Sequence, residues 1–460
     1  MNREPSPTLD RPHAPHRPHG PDRPSQRYAW WVVAVLVISM IVAYIDRQII
    51  SVLAQEMRND LQFSDTQVSS LHAGFALFYA LAGYPIAWII DRYRRRETLA
   101  IAIAFWTLMT VLSGTTKSFF TLFLYRVGVG AGEATINPAA HSWAGAVIER
   151  RHLPLALSLV MLGPVIGSGV GFYVGGLALE ILRPLDPVSL PIFGKVFAWQ
   201  LAYFYVGLPG LLVILLLYTL KEPRRAAAPV VPRAADAGRS EVFGFYKREW
   251  ATLTCHHLGF TLLVLMGNAF VFWSAAWFER IHGVPSGQAG RWIGILFLVP
   301  GVPAVILAAV LAQRVIRSRG GGGILATAAA GAVGLVLSVG IAQLMPDARS
   351  ALIAYVPAFF FLNMPYGLAQ GALPLIAPER MRARVAAIYA MVYSVGTAIG
   401  PAILGLVSDN LFPGANGIRD AMLLVCTVFG SSAIALLWIG RGPYTRTFER
   451  AEAEALATER

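Results

Sequence analysis

Ala43-Tyr44-Ile45-Asp46-Arg47-Gln48-Ile49-Ile50 sets an acid beside a base inside an otherwise apolar run from Tyr28 to about Leu53. A helix of that length can cross a bilayer, whose hydrocarbon core takes roughly 20 helical residues. Charges at such depth are costly and turn toward a partner or a wet cavity. A second acid and base, Arg126 and Glu133, stand in another apolar run. These four residues are expected to form the working centre, with two moving halves built around them.

Composition agrees with a polytopic membrane protein. Hydrophobic residues make up 56% of the chain and charged residues 14%, where a soluble domain carries about 25% charge. Mean hydropathy is +0.56. The apolar runs recur along the whole chain instead of clustering as one core, which argues against a large soluble enzyme. Cys255 and Cys426 each lie inside an apolar run and read as small packing residues, not a disulfide or metal pair. Residues 1–27 carry Arg-Pro-His twice among further prolines and read as a disordered cytoplasmic tail. The first apolar run is too long for a cleavable signal peptide. No nucleotide-binding loop or metal cluster stands out, so no cofactor or metal is expected and an ATP-driven pump is unsupported.

Twelve apolar segments can be marked, at about 28–55, 66–90, 97–115, 119–146, 154–181, 199–220, 250–278, 288–314, 322–345, 350–377, 384–408 and 420–440. Ser64-Asp65 is a plausible cap for the second. With the N-terminus taken as cytoplasmic, 28 of the 38 Lys and Arg residues fall on the inside and eight in the outside loops. The positive-inside rule then places both termini in the cytoplasm, with the chain in the plasma (inner) membrane. The same distribution accounts for the net charge of +12 without nucleic acid. The longest connection, 221–249, reads as a cytoplasmic linker between six-segment halves at 28–220 and 250–440, and 441–460 as a cytoplasmic tail. Weak internal likeness supports that split: Gly83-Tyr84-Pro85 against Gly301-Val302-Pro303, and Glu149-Arg150-Arg151 against Glu379-Arg380.

The loop after segment two, Asp91-Arg92-Tyr93-Arg94-Arg95-Arg96, resembles the cytoplasmic signature of the major facilitator superfamily. The resemblance implies an all-α fold of twelve transmembrane helices in two six-helix halves. It also implies that Asp91, with Arg92, serves as a cytoplasmic gate latching the halves when the transporter is open outward. The family's usual glycine is Ala87 here, and the matching position after segment eight, Gln313-Arg314, has no acid. Arg94, Arg95 and Arg96 are adequately explained by topology alone.

Segment four reads Arg126-Val-Gly128-Val-Gly130-Ala-Gly132-Glu133-Ala-Thr-Ile-Asn137-Pro138. At about 100° per residue, Arg126, Glu133 and Asn137 share one helical stripe. Asp46 and Arg47, being consecutive, diverge by about 100°, so one arrangement has Arg47 facing Glu133 while Asp46 faces the cavity. Desolvation favours a neutral carboxyl and a nearby arginine favours the carboxylate. Asp46 and Glu133 are therefore the expected proton sites, and a structural salt bridge remains the plainer reading of Arg126.

Tyr44-Ile-Asp46-Arg47-Gln48, Phe78-Tyr79-Ala80 and Gly130-Ala-Gly132-Glu133-Ala together resemble the spinster-like branch of the superfamily, over most of residues 28–220. By that resemblance Asp46, Arg47, Arg126 and Glu133 match the branch's charged cavity residues, and the cargo is a sphingoid or lysophospholipid molecule moved with protons. Tyr79 and Asn137 join Arg47 and Arg126 as candidate substrate-binding or charge-pair residues.

Segment five holds Gly163-Pro164-Val165-Ile166-Gly167 and continues to Gly171 and Gly175, a nearly smooth ridge suited to packing or sliding. Gly396, Gly400-Pro401 and Gly405 are a looser counterpart, and Pro164 and Pro401 are expected to kink their helices. Asn268, Trp273, Trp277, Asn363, Tyr366, Gln370, Tyr389 and Tyr393 could line the second half of a cavity. His72 and His141 read as packed or hydrogen-bonded side chains. The expected protein is a secondary transporter, not an enzyme, working by alternating access as a monomer in contact with membrane lipids. Its expected cargo is an amphiphilic lipid such as a lysophospholipid or sphingoid phosphate. A small organic-anion symporter or drug exporter on the same fold is the alternative.

Overall fold

The structure, a computed structural model, describes residues 25–149, 151–190, 194–222, 239–414 and 416–458. Most of the N-terminal tail and the middle of the 221–249 connection therefore lie outside the described residues. Within them the chain is almost entirely helical. The first stretch is α1 Gln26–Leu61, α2 Asp65–Arg92, α3 Arg95–Ser113, α4 Phe119–Glu133, α5 Ile136–Val147, α6 Leu153–Leu182 and α7 Ala198–Tyr218. The second is α8 Arg239–Arg248, α9 Trp250–His282, α10 Ser286–Leu296, α11 Val302–Arg319, α12 Gly323–Gln343, α13 Ala348–Asn363, α14 Tyr366–Ile376, α15 Arg382–Asn410 and α16 Gly417–Thr458. A π-turn at Phe297–Gly301 joins α10 to α11. A short antiparallel hairpin, Val188–Leu190 with Gly194–Val196, precedes α7.

Counting α4–α5, α10–α11 and α13–α14 as interrupted rods, twelve rods match the twelve apolar segments. Ten are long and apolar enough to cross a membrane. The other two are α2 and the α4–α5 rod, which is broken at Ala134–Thr135. Within each group short connections make neighbouring rods alternate in direction, and the Asp65–Arg280 contact aligns the two groups, so Gln26 and Thr458 lie on one face, here called the terminal face. The opposite, distal face carries the turns before α2, α10 and α16. Ser64 caps α2 with a reciprocal capping box to Gln67, which satisfies two otherwise orphan donors. Two stretches extend the apolar pattern: α8 forms inside the 221–249 connection, and α16 continues without a break through Thr458.

In lipid there is no hydrophobic drive between helices, so close packing of small residues carries association. α6 shows this against α1. A Cβ on Gly163 would come within 2.6 Å of the Met40 Cβ, on Gly167 within 2.7 Å of the Tyr44 Cβ, and on Gly171 within 2.9 Å of the Ile45 Cα. The ridge therefore seats the very turns of α1 that carry Asp46 and Arg47. Pro164 and Pro401 stand inside helices that continue past them. Gly400 lies against the Leu265 carbonyl of α9, and the Pro401 carbonyl accepts from the Trp273 Nε1 at 3.1 Å.

α1–α7 pack among themselves, as do α9–α16, and the two groups meet through α2 with α15, α6 with α10 and α1 with α9. At the α6–α10 seam Gly169 faces the Gly294 carbonyl and Gly176 the Gly287 carbonyl. Three ion pairs cross between the groups toward the distal face. Arg280 of α9 forks onto Asp65 of α2 with two contacts of 2.7 Å. Arg291 of α10 meets Glu180 of α6 at 3.1 Å, and Arg183 lies 3.9 Å from Glu279.

Candidate functional site

Because Asp46 and Arg47 are consecutive on α1, they address different partners on α4. Asp46 is 3% exposed; it accepts a hydrogen bond from the Thr110 hydroxyl of α3 and lies 3.4 Å from the Arg126 Nη1. Arg47 reaches Glu133 with Nη2–Oε2 at 3.0 Å. Arg126 and Glu133 are wholly buried. The seven-residue step from one to the other rises about 10 Å along the helix, a gap the two long guanidinium arms absorb. The centre thus holds two acids and two bases as two pairs, with Arg47 turned to Glu133 and Asp46 turned to Arg126. Asp46 is buried between Thr110 of α3 and Arg126 of α4.

The pairs are not saturated. Arg126 Nε and Nη2, Arg47 Nε and Glu133 Oε1 are buried without hydrogen-bond partners. A buried pair loses roughly 3–5 kcal/mol when one member is removed, so any change of partner at one residue is felt by the other three.

Aromatic side chains hold the cations in place. Arg47 stands over the rings of Tyr44 at 4.3 Å, Tyr79 at 4.7 Å and Phe75 at 5.0 Å. Arg126 shares the Phe75 ring at 5.2 Å. Cation–π contacts of this kind are worth about 0.5–2 kcal/mol each when desolvated. Gly130 permits the arrangement, since a Cβ there would collide with the Phe75 carbonyl. Asn137 donates from Nδ2 to the Tyr79 hydroxyl at 2.7 Å. The single stripe expected on segment four is interrupted after Glu133, where the Thr135 N–H turns back to the Gly132 carbonyl at 3.2 Å. Asn137 therefore begins a separate helix and reaches the arginine only through Tyr79.

Other expected site residues are placed as follows. Arg92 is exposed, its guanidinium 5.4 Å from the Trp88 ring of its own helix. The Asp91 side chain lies outside the described residues. The latch expected of Asp91 and Arg92 therefore turns on a side chain outside the described residues. Trp273, Trp277, Asn363 and Tyr389 are buried and pack or bond locally instead of lining a cavity. Trp277 stacks on Tyr355 with centroids 5.6 Å apart, and the Asn363 Nδ2 donates to the Phe359 carbonyl at 2.9 Å. Tyr393 and Asn268 are half-buried, Gln370 is exposed, and the Tyr366 side chain is not among those described. His141 Nδ1 lies 2.9 Å from the Asn137 carbonyl.

Three features were not found from the sequence: the Thr110 bond, the Phe75 ring shared by both arginines, and the distal lock. In that lock Asp65 takes Arg280, Arg58 at 3.1 Å and the Ser408 hydroxyl at 2.9 Å. Asp409 of α15 accepts from the Thr66 N–H at 2.7 Å and the Asp65 N–H at 3.2 Å, capping α2 from the other group. The lone acid opening a helix beside a Ser cap was the only available signal, and it reads equally well as a local cap.

Residues 36–401 match the Major Facilitator Superfamily profile. The chain belongs to the Major Facilitator Superfamily. It is therefore a transporter of that fold, multi-pass in the membrane. It is 27% identical over 444 residues to an MFS-type efflux pump of Mycolicibacterium smegmatis, covering 91% of this chain and 94% of the pump. Protein spinster of Drosophila melanogaster is 20% identical over 432 residues, covering 88% of this chain and 67% of spinster. Among solved structures, a bacterial homologue of the human lysosomal transporter Spinster, inward-facing and unoccupied, superimposes with TM-score 0.74 at 24% identity. That match covers 93% of this chain and 99% of the other. The spinster-like likeness read from Tyr44 to Gln48 and Gly130 to Ala134 thus extends over nearly the whole fold.

Proposed function

We propose that this facilitator couples protons to the movement of an anion-bearing solute, an amphiphile with a phosphate head being the first candidate. The observation that carries the reading is the pair of pairs, Asp46 with Arg126 and Glu133 with Arg47, buried together with unspent N–H donors on both arginines. Protonating an acid removes the charge that holds its arginine. The freed guanidinium, already aimed at the centre, then takes an anion. Loss of the anion returns the arginine to its carboxylate and expels the proton. A cargo shifts the balance of open directions only by its differential affinity for the two states.

In this reading the distal face is the outside, both termini are cytoplasmic, and the closed distal seam is the inward-facing state. Asp91 and Arg92 then serve the opposite state, latching the terminal face when the distal seam opens. The units are the two six-helix halves at 28–220 and 250–440, joined by 221–249 and working as a monomer. Gly163, Pro164, Gly167, Gly400 and Pro401 lie on packing surfaces inside each half, where helices slide or bend as the halves rearrange. The second half carries few charges within its spans, which favours an acyl chain as the rest of the cargo. A small organic anion or drug is the second reading, favoured by the efflux pump among the relatives.

The test is transport by proteoliposomes under an imposed pH gradient, offering lysophosphatidate, sphingosine phosphate and glucuronate in turn. Proton-dependent movement of the lysolipids, lost in Asp46→Asn or Glu133→Gln, is expected. Glucuronate uptake without lysolipid movement would replace the cargo, and transport with unaltered pH dependence in both variants would sink the proton sites.

A further inference from the structure

His72 is a buried polar side chain of the central region that the paired charges leave unexplained. It sits one turn from Phe75 on α2 and is 6% exposed, yet among the described residues neither ring nitrogen has a hydrogen-bond partner. The Thr397 carbonyl of α15 lies alongside without meeting the geometry of a hydrogen bond. Buried polar groups are nearly always satisfied, and each exception calls for a reason. Leaving such a group unmet costs stability that a plain phenyl ring at the same place would not.

The position supplies the reason. The His72 ring centroid is 6.2 Å from that of Phe75, the ring over which Arg47 and Arg126 both stand. Three side chains with unspent N–H donors therefore surround one phenyl: His72, Arg126 through Nε and Nη2, and Arg47 through Nε. In either protonation state an imidazole offers at least one N–H. On its other side His72 meets Phe272 of α9, centroids 5.3 Å apart. It is thus the donor of this set that touches the second group of helices.

We infer that His72 is a third anion-contacting residue, donating to an oxygen of the cargo's acidic head beside Arg126 and Arg47. The inference rests on the anion reading above and deepens it. The head group is recognised by an imidazole on α2 as well as by the two guanidinium groups, and its arrival replaces an unmet donor at the meeting of α2, α9 and α15. Occupancy of the site is thereby registered where the two groups touch.

The experiment uses the purified full-length protein and measures thermal stabilisation and affinity with three probes: inorganic phosphate, glucuronate and lysophosphatidate. His72→Phe keeps the ring volume and removes the nitrogens; His72→Gln keeps an N–H. For whichever probe stabilises the wild type, His72→Phe is expected to weaken binding about tenfold or more, the worth of a hydrogen bond to a charged group. His72→Gln is expected to recover most of that loss. Without probe, His72→Phe should melt no lower than wild type, which separates loss of binding from loss of fold. Equal affinity in His72→Phe and wild type overturns the assignment of His72 alone. Failure of all three probes to bind the wild type overturns the anion reading, and His72's role with it.

Discussion

Removing the carboxylate of Asp65 should open the distal face. Asp65 is 2% exposed and binds both terminal nitrogens of Arg280 at 2.7 Å, with Arg58 and Ser408 on the same group. In Asp65→Ala, Arg280 keeps Gln55 at 2.6 Å and the Trp273 ring at 5.5 Å but no carboxylate, and its guanidinium stays largely buried in the closed state. Breaking a buried pair on one side costs roughly 3–5 kcal/mol. The penalty falls on the closed state, because separation of α2 from α9 returns Arg280 to solvent. The lower figure, about 3 kcal/mol, is a shift of about 150-fold in the equilibrium. A distal-open state held at about 1% in the wild type would then rise to about 60%. Spin labels on the exposed positions Asn59 and Pro413 would read this as a second, longer distance in double electron–electron resonance. The native cysteines are both buried and interfere little with labelling. Asp65→Ala combined with Arg280→Ala should recover part of the closed population, since it removes the stranded cation. A distance distribution unchanged by Asp65→Ala would refute the reasoning.

Further expectations follow from the same packing and pairing. Gly171→Val places a side chain 2.9 Å from the Ile45 Cα and should cost about 1–3 kcal/mol by overpacking, read as a lower Tm in detergent. Gly145→Ala, which meets nothing within 4 Å, is the control. Thr110→Val keeps the shape beside Asp46 but withdraws its hydroxyl donor; initial transport rates in proteoliposomes should fall severalfold, and an unchanged rate would contradict that role. Tyr79→Phe leaves the ring under Arg47 and strands the Asn137 amide. Stability should drop by about 1 kcal/mol, with a milder loss of transport than in Arg47→Ala, as measured by initial rates in proteoliposomes.

The charged centre was largely legible along the chain because membrane depth makes charge conspicuous. Asp46, Arg47, Arg126 and Glu133 each interrupt an apolar run, and that cost alone marks them. The glycines of α6 were equally plain, since their spacing of four is the helix repeat. What could not be read was partnership. Asp65 looks like an ordinary first-turn acid and Arg280 like a loop charge; they are 215 residues apart, and no local pattern ties them. Phe75 and His72 sit in an apolar helix where one aromatic looks like any other. The second group's aromatics were read as cavity lining on composition, whereas Trp277 and Tyr389 are packed inside it.

Asp46-Arg47 shows where the division falls. The sequence by itself determined that an acid and a base stand side by side at depth in a spanning helix, and that their side chains diverge. Helical geometry dictates as much, needing only the residue order and the rise per residue. Only the tertiary structure decided which partner each takes: Arg126 and Thr110 for Asp46, and Glu133 with three aromatic rings for Arg47. The physical reason is that pairing depends on how the glycine ridge of α6 seats α1 and how closely Gly130 lets α2 approach α4. Those contacts join residues tens of positions apart, so their energies arise only once the helices are packed.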